Sequence, residues 1–145
     1  MSSYADTSFL YSLYVQQAHS DRAAAYMEGA GLASLPLTTL GRFELFNAIR
    51  LSVFRRQLGM RPAVVDVQTI EGDIRNGVLN LTACDWPAVH ARAELLSGKH
   101  TMKSGHRAMD VLHVATALTF GSAEFLTFDQ NQARLARAEG LRVRP

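Results

Sequence analysis

The chain has 145 residues, of which 48% are hydrophobic, and its formal net charge at neutral pH is +2. This length and composition indicate one globular domain and exclude a disordered chain. The sequence contains no run of the ~20 apolar residues that a membrane span needs, and no basic and apolar secretory signal, so we expect a cytoplasmic protein without membrane contact.

Short apolar runs alternate with helical periodicity through the first half of the chain. The pattern predicts strands over residues 3–6 and 33–37 and helices over residues 8–16, 20–28, 38–58 and 62–75. Pro36 would confine the second strand to a sheet edge or a strand end, because proline has no N–H for a ladder. Thr38 or Thr39 is expected to cap the long helix that follows.

The same alternation continues in the second half. We predict strands over residues 78–83, 123–127 and 141–143, helices over residues 85–98, 108–120 and 129–139, and a basic loop over residues 99–107. Asp85 is expected to cap the first of these helices. Strands separated by helices imply parallel crossovers, so the fold class is an α/β sandwich formed as a single domain over residues 1–145.

Two aspartates follow predicted strands. Asp6 ends the first strand and Asp129 follows the fourth. In parallel α/β sheets, ligands bind beyond the carboxyl ends of the strands, where both aspartates are expected. The alternative for each is a simple helix cap, since aspartate is a favoured N-cap residue.

Two further acids interrupt apolar helices. Glu44 lies within about 40° of Leu40, Ala48 and Leu51 around its helix, at ~100° per residue. Asp110 lies in a segment that is apolar nearly all round, which is typical of a buried helix. The alternatives are salt bridges, for Glu44 to Arg42 or another arginine and for Asp110 to the preceding arginine, Arg107.

Buried carboxylates are costly unless they are paired, hydrogen-bonded or bound to a cation. Four of them in apolar settings indicate one shared cation, and oxygen ligands suit Mg²⁺ or Mn²⁺. Four small polar neighbours of the acids are candidates to orient the carboxylates or metal-bound waters, or else simply to begin helices: Thr7, Ser8, Thr127 and Asn131. We interpret His113 as a core residue or a neighbour of the acids. We interpret the only cysteine, Cys84, as a small buried side chain. We interpret the other nine acids, which include Glu124 and Glu139, as solvated side chains, helix ends or caps.

Four motifs together resemble those of the PIN-domain nucleases, and the length resembles that of the VapC toxins of toxin–antitoxin pairs. The motifs are Tyr4-Ala5-Asp6-Thr7-Ser8, Glu44 with Asn47-Ala48, Asp110-Val111-Leu112-His113-Val114-Ala115 and Thr127-Phe128-Asp129. The chain departs from the family at Gln132, three residues after Asp129, where an aromatic or apolar residue is frequent.

The resemblance implies a short central parallel sheet between layers of helices and a metal-dependent endoribonuclease. Asp6, Glu44, Asp110 and Asp129 would be the active-site acids, and Asp6, Asp110 and Asp129 would hold Mg²⁺ or Mn²⁺, while Glu44 would position the attacking water. It also implies a homodimer inhibited by a cognate antitoxin.

Three cations that precede the Asp110 helix, Lys99, Lys103 and Arg107, are candidates to hold the RNA backbone. The alternative for them is a solvated basic loop. Three functional alternatives stay open: a non-catalytic PIN-like binding module, a nuclease without an antitoxin and a structure-specific DNA nuclease.

Overall fold

The computed structural model describes residues 2–145; Met1, where the predicted domain begins, lies outside them. Helices and short strands alternate in this part of the chain, which confirms the α/β class. The strands are β1 (Ser3–Ala5), β2 (Leu35–Leu37), β3 (Leu79–Leu81), β4 (Glu124–Leu126) and β5 (Arg142–Arg144). The helices are α1 (Thr7–Tyr14), α2 (Ser20–Gly29), α3 (Thr39–Phe54), α4 (Met60–Arg75), α5 (Trp86–Leu96), α6 (Met102–Ser104), α7 (Ala108–Thr119) and α8 (Gln130–Ala138).

The described chain divides into two compact units, one of residues 2–6 and 83–144 and one of residues 7–82 with Pro145. The strands pair in parallel, as predicted, but they form two sheets, with the orders β1-β4-β5 and β2-β3. The single domain over residues 1–145 stays a prediction from the sequence. Within residues 2–145, no helix is both long and apolar enough to cross a membrane.

Strand β4 is the middle strand of the first unit's sheet. Its Phe125 is fully buried and stacks on Tyr4 of β1, with the ring centroids 5.7 Å apart. The Tyr4 hydroxyl also makes a 2.7 Å hydrogen bond to Nδ1 of His113 on α7. His113 is therefore a buried core residue, one of the two roles that the sequence indicated.

The second unit contains α1 to α4 and the β2-β3 pair. Leu45, Ile49 and Ile70 are fully buried in it, as the apolar periodicity of α3 and α4 requires. Pro36 lies in β2, whose sheet has two strands, so this proline occupies an edge strand as predicted. Thr38 caps α3 by accepting a 2.9 Å hydrogen bond from the Gly41 N–H.

Two predicted boundaries were wrong. Helix α3 ends at Phe54 rather than Leu58, because Arg56 takes a left-handed backbone conformation with φ 58°. The predicted basic loop is helical over most of its length: α5 continues into a π-helical turn at Ser97–Thr101 and then into α6. Gly105 ends this segment with φ 69°, a conformation that glycine adopts without strain.

Two side chains differ from their interpretation. Cys84 is half-buried rather than buried, and both burial and the neighbouring Asp85 raise the pKa of its thiol, which disfavours a nucleophilic thiolate. Glu124 is buried and accepts a 3.2 Å hydrogen bond from the Ser3 hydroxyl. Glu139 lies at the end of α8, as interpreted, and is half-buried beside Lys99 and His100.

Candidate functional site

Two of the predicted acids, Asp6 and Asp129, follow strands that end at the carboxyl edge of the first unit's sheet. Strands β1 and β4 are parallel and in register, so Asp6 and Thr127 follow them at the same edge. The Asp6 N–H continues the ladder with a 3.0 Å hydrogen bond to the Leu126 carbonyl. The carboxylate of Asp6 is fully buried, and its Oδ2 accepts a 2.5 Å hydrogen bond from the Thr127 hydroxyl.

Asp129 caps helix α8. Its Oδ1 accepts hydrogen bonds from the N–H groups of Asn131 at 2.8 Å and Gln132 at 3.0 Å. Its own N–H donates to Thr127 Oγ1 at 2.9 Å. Asp129 therefore caps the helix, which is one of the two roles that the sequence left open. The Thr127 hydroxyl links the Asp129 N–H to the buried Asp6 carboxylate.

Asp110 lies in the first turn of α7 and is 5% exposed. Its Oδ2 accepts a 3.1 Å hydrogen bond from the Arg107 N–H, and its Oδ1 accepts a 3.2 Å hydrogen bond from Nε2 of Gln132. The Arg107 guanidinium is 87% exposed, and its Nε lies 3.9 Å from Asp110 Oδ2. A buried salt bridge is therefore not what keeps Asp110 in the interior.

A continuous chain of hydrogen bonds joins the three aspartates. It runs from Asp6 through Thr127 to Asp129, and from Asp129 through Gln132 to Asp110. Residues from three distant parts of the sequence thus meet within one unit. Thr127 was a predicted neighbour of the acids, whereas Gln132 was read only as a departure from the family. The available signal for Gln132 was its position three residues after Asp129, because Asp-x-x-Gln is a pattern typical of the start of a helix.

Asn131 and His106 form a second polar contact beside Asp110. In the orientation that satisfies its amide, Asn131 donates to His106 Nδ1 at 2.5 Å and to Asp110 Oδ2 at 3.3 Å, and its oxygen accepts from Arg134 at 3.0 Å. His106 is buried. Asn131, which the sequence marked as a neighbour of the acids, therefore contacts Asp110.

Glu44 belongs to the second unit. It is partly buried, not fully buried as its apolar neighbours suggested, because Leu51 on the same side of α3 is exposed. The hydroxyl of Thr7, the first residue of α1, donates a hydrogen bond to Glu44 Oε1. Its role as an active-site acid stays a prediction from the sequence.

The donor set of the first unit suits a hard cation, because the carboxylates of Asp6 and Asp110 are buried and hard cations prefer such oxygen ligands. The side-chain oxygen of Gln132 is buried and has no hydrogen-bond partner, which costs about 1–3 kcal/mol if nothing binds it. In the described residues, however, no three His, Cys, Asp or Glu side chains form a ready cluster around one point. A single ion held by all four acids is therefore not preformed, whereas Mg²⁺ needs only one or two carboxylates with water and substrate phosphates.

The three predicted substrate-binding cations differ in their surroundings. Lys103 and Arg107 are exposed, and Arg107 is the one near Asp110. Lys99 is engaged elsewhere, since its Nζ lies 3.0 Å from Glu139 Oε2, and His100 Nε2 contacts the same oxygen at 2.7 Å. Although burial alone would raise the pKa of Glu139, hydrogen bonds and charge from His100 and Lys99 hold it below its ordinary value.

Replacing Glu139 by glutamine is expected to destabilise the protein in a pH-dependent way. A lowered folded-state pKa stabilises the protein above the unfolded pKa, and this contribution is lost as the pH falls through the folded value. We expect Glu139→Gln to lower the free energy of unfolding by about 0.5–1 kcal/mol at pH 6, as for a partly exposed ion pair. Urea unfolding from pH 6 to pH 2 should show the difference from the parent shrinking; a constant difference would contradict it.

The cap and the charge of Asp129 are separable by two substitutions. Asp129→Ala removes the acceptor of two N–H groups and is expected to cost about 1 kcal/mol, whereas asparagine caps helices about as well as aspartate. Thermal and urea unfolding of the alanine and asparagine variants measure this directly. Equal destabilisation by both would mean that the carboxylate charge, not the cap, supplies the stability.

The comparisons with known proteins cover nearly the whole chain. The PIN-domain family model matches residues 3–138. Curated protein sequences give no match. Among solved structures, the chain resembles the sarcin-ricin loop cleaving toxin VapC20 of Mycobacterium tuberculosis, with a TM-score of 0.68 and 20% identity over 99% of this chain and 100% of that one. It also resembles FitAcB from Neisseria gonorrhoeae, with a TM-score of 0.63 and 15% identity over 99% of this chain and 96% of that one. The match of the family model, which leaves only the first two and the last seven residues outside it, shows that this chain belongs to the PIN-domain family.

Proposed function

We propose that the protein is a metal-dependent endoribonuclease that hydrolyses RNA phosphodiester bonds and acts as the toxin of a toxin–antitoxin pair. The observation that carries this proposal is the hydrogen-bonded chain joining Asp6, Asp129 and Asp110 at the carboxyl edge of a parallel sheet. Carboxylates at such an edge are suited to divalent-cation chemistry on phosphates. The fold similarity to VapC20, which cleaves the sarcin-ricin loop, supports an RNA substrate.

Asp6 and Asp110 would hold Mg²⁺ or Mn²⁺, with Asp129 contributing directly or through water. When bound, such an ion lowers the pKa of its water and stabilises charge on the phosphoryl oxygens. Thr127 keeps the Asp6 carboxylate in place by donating a hydrogen bond to its Oδ2. Glu44 is the acid that we assign to positioning the attacking water, on the resemblance alone.

The exposed side chains of Lys103 and Arg107 would hold the RNA backbone. Arg107 is the stronger candidate, because a guanidinium can bind a phosphate with two parallel hydrogen bonds and this one is exposed beside Asp110. Lys99 is the weaker candidate, since Glu139 neutralises its charge.

The deciding experiment is cleavage of total cellular RNA by the purified protein with Mg²⁺, with Mn²⁺ and with a chelator. Discrete fragments that require a divalent cation would support the proposal, and a matched single-stranded DNA tests the alternative substrate. No cleavage of either nucleic acid, together with no rise in melting temperature on adding Mn²⁺, would overturn it in favour of a non-catalytic binding module.

The toxin assignment, the partners and the location need separate tests. Expression of the chain alone should arrest growth of its host, and co-expression of a neighbouring gene that encodes the cognate antitoxin should restore it. Light scattering of the purified protein tests the expected homodimer. Ribonuclease activity without growth arrest would favour a stand-alone nuclease.

A further inference from the structure

Gln132 occupies an unusual position among the acids. It is 7% exposed and is the third residue of α8 after the Asp129 cap. Its N–H donates to Asp129 Oδ1 at 3.0 Å, while its side-chain Nε2 donates to Asp110 Oδ1 at 3.2 Å. One buried residue therefore contacts two of the three aspartates of the candidate site.

The side chain of Gln132 does not make the contact expected at this position. In a capping box, glutamine at the third helical position accepts a hydrogen bond from the N–H of the cap residue. Here the Asp129 N–H already donates to Thr127 Oγ1. The Gln132 carboxamide is thus released from capping and directed to Asp110, and its Oε1 is left buried without a partner.

The orientation of this carboxamide follows from its neighbour. An ionised carboxylate only accepts hydrogen bonds, so Nε2 must face Asp110 and Oε1 must point to the other side of the same amide. Buried polar atoms are nearly always satisfied by protein groups, water or ions. A buried, unpartnered acceptor on a residue that contacts two aspartates of the site is suited to a cation or to the water that a cation holds.

We propose that Gln132 Oε1 belongs to the cation site by accepting a hydrogen bond from a water molecule of the bound ion, and that Nε2 positions Asp110. This inference rests on the proposed metal-dependent function and adds to it a residue that the four acidic motifs do not include. Gln132 is a positioning residue in this scheme, because it acts through Asp110 and the water of the ion.

The test is the affinity for Mn²⁺ alone, without RNA, measured from the loss of the free-ion signal in electron paramagnetic resonance. Gln132→Met has a similar volume but lacks both polar atoms, whereas Gln132→Glu keeps an oxygen acceptor and adds a negative charge. We expect Gln132→Met to weaken Mn²⁺ binding by ~10-fold or more, as for other residues that hold metal ligands and waters. We expect Gln132→Glu, which loses Nε2 but keeps an acceptor and adds a charge that attracts the ion, to bind Mn²⁺ more tightly than Gln132→Met.

Gln130→Glu is the matched control, because Gln130 is exposed on the same first turn and the change adds the same charge outside the site. Its Mn²⁺ affinity should stay within about twofold of the parent, since exposed charges are screened. Should Gln132→Glu be unfolded without metal, refolding on addition of Mn²⁺ supports the inference, and failure to refold overturns it.

The remaining outcomes separate this inference from the proposed function. Parent-like Mn²⁺ affinity in Gln132→Met would overturn the role of Gln132 while leaving the metal centre intact. Equal weakening in the methionine and glutamate variants would show that Nε2 alone matters and would overturn the role of Oε1. A parent protein that binds no Mn²⁺ would overturn the metal centre itself.

Discussion

Asp6→Asn is expected to lower RNA cleavage by ~100-fold or more while leaving the fold intact. Asparagine keeps the size of the side chain and an oxygen that accepts from the Thr127 hydroxyl, so the hydrogen bond at this buried position survives. The negative charge that would hold the cation is lost. A metal supplies several kcal/mol of charge stabilisation in the transition state, and each ~1.4 kcal/mol corresponds to a tenfold change in rate.

The matched control for this prediction is Asp85→Asn. Asp85 is an exposed cap, accepting from the Ala88 N–H at 3.1 Å, and asparagine is an equally good cap residue. Rates should be compared at saturating Mn²⁺ and the stabilities by urea unfolding. Cleavage by Asp6→Asn at the rate of the Asp85 variant would show that Asp6 has no part in the chemistry.

Phe125→Ala is expected to lower the free energy of unfolding by about 3–5 kcal/mol, the range for removing a buried aromatic side chain. The ring is fully buried in the middle strand of the sheet and stacks on Tyr4, so its loss leaves a cavity with few atoms free to fill it. Because the free energy of unfolding of a whole domain is only about 5–15 kcal/mol, this substitution would remove a large part of it.

Phe54→Ala provides the comparison, since Phe54 is 83% exposed at the end of α3 and its truncation should change the stability by about 0.5 kcal/mol or less. Both variants are measured by equilibrium urea unfolding under identical conditions. Equal effects of the two substitutions would mean that the β1-β4 core does not carry the stability that its burial indicates.

The sequence predicted the strand ends well because they depend on local pattern. Asp6 comes directly after β1 and Asp129 three residues after the end of β4, and helix caps such as Thr38 and Asp85 are recognised from two or three residues. These features need no knowledge of distant contacts, since the residue before a helix and the first helical turn decide them.

Other features depended on partners far away in sequence. Glu124 looked like a solvated acid, but β4 is a middle strand with neighbours on both sides, and its carboxylate meets the hydroxyl of Ser3, 121 residues away. The contact of Gln132 with Asp110 spans 22 residues. Local periodicity carries no information on such pairs, and so it missed both of them.

The helical course of residues 97–104 was missed for a different reason. Gly98 and the basic residues after it favoured a loop, yet the chain continues through a π-helical turn before Gly105 ends it. Glu139 contacts two side chains of this segment, Lys99 and His100, and such a tertiary contact can outweigh weak local propensity.

The pairing of β1 with β4 has a consequence for how the protein acquires activity. Asp6 is synthesised about 120 residues before its strand partner and the Thr127 hydroxyl. Contacts of such high sequence separation form late and slowly, because the chain between them must first be ordered. A growing polypeptide therefore cannot assemble the three aspartates until the segment around Gln132 has left the ribosome, so the candidate site stays incomplete while the residues between Asp6 and Gln132 are being synthesised.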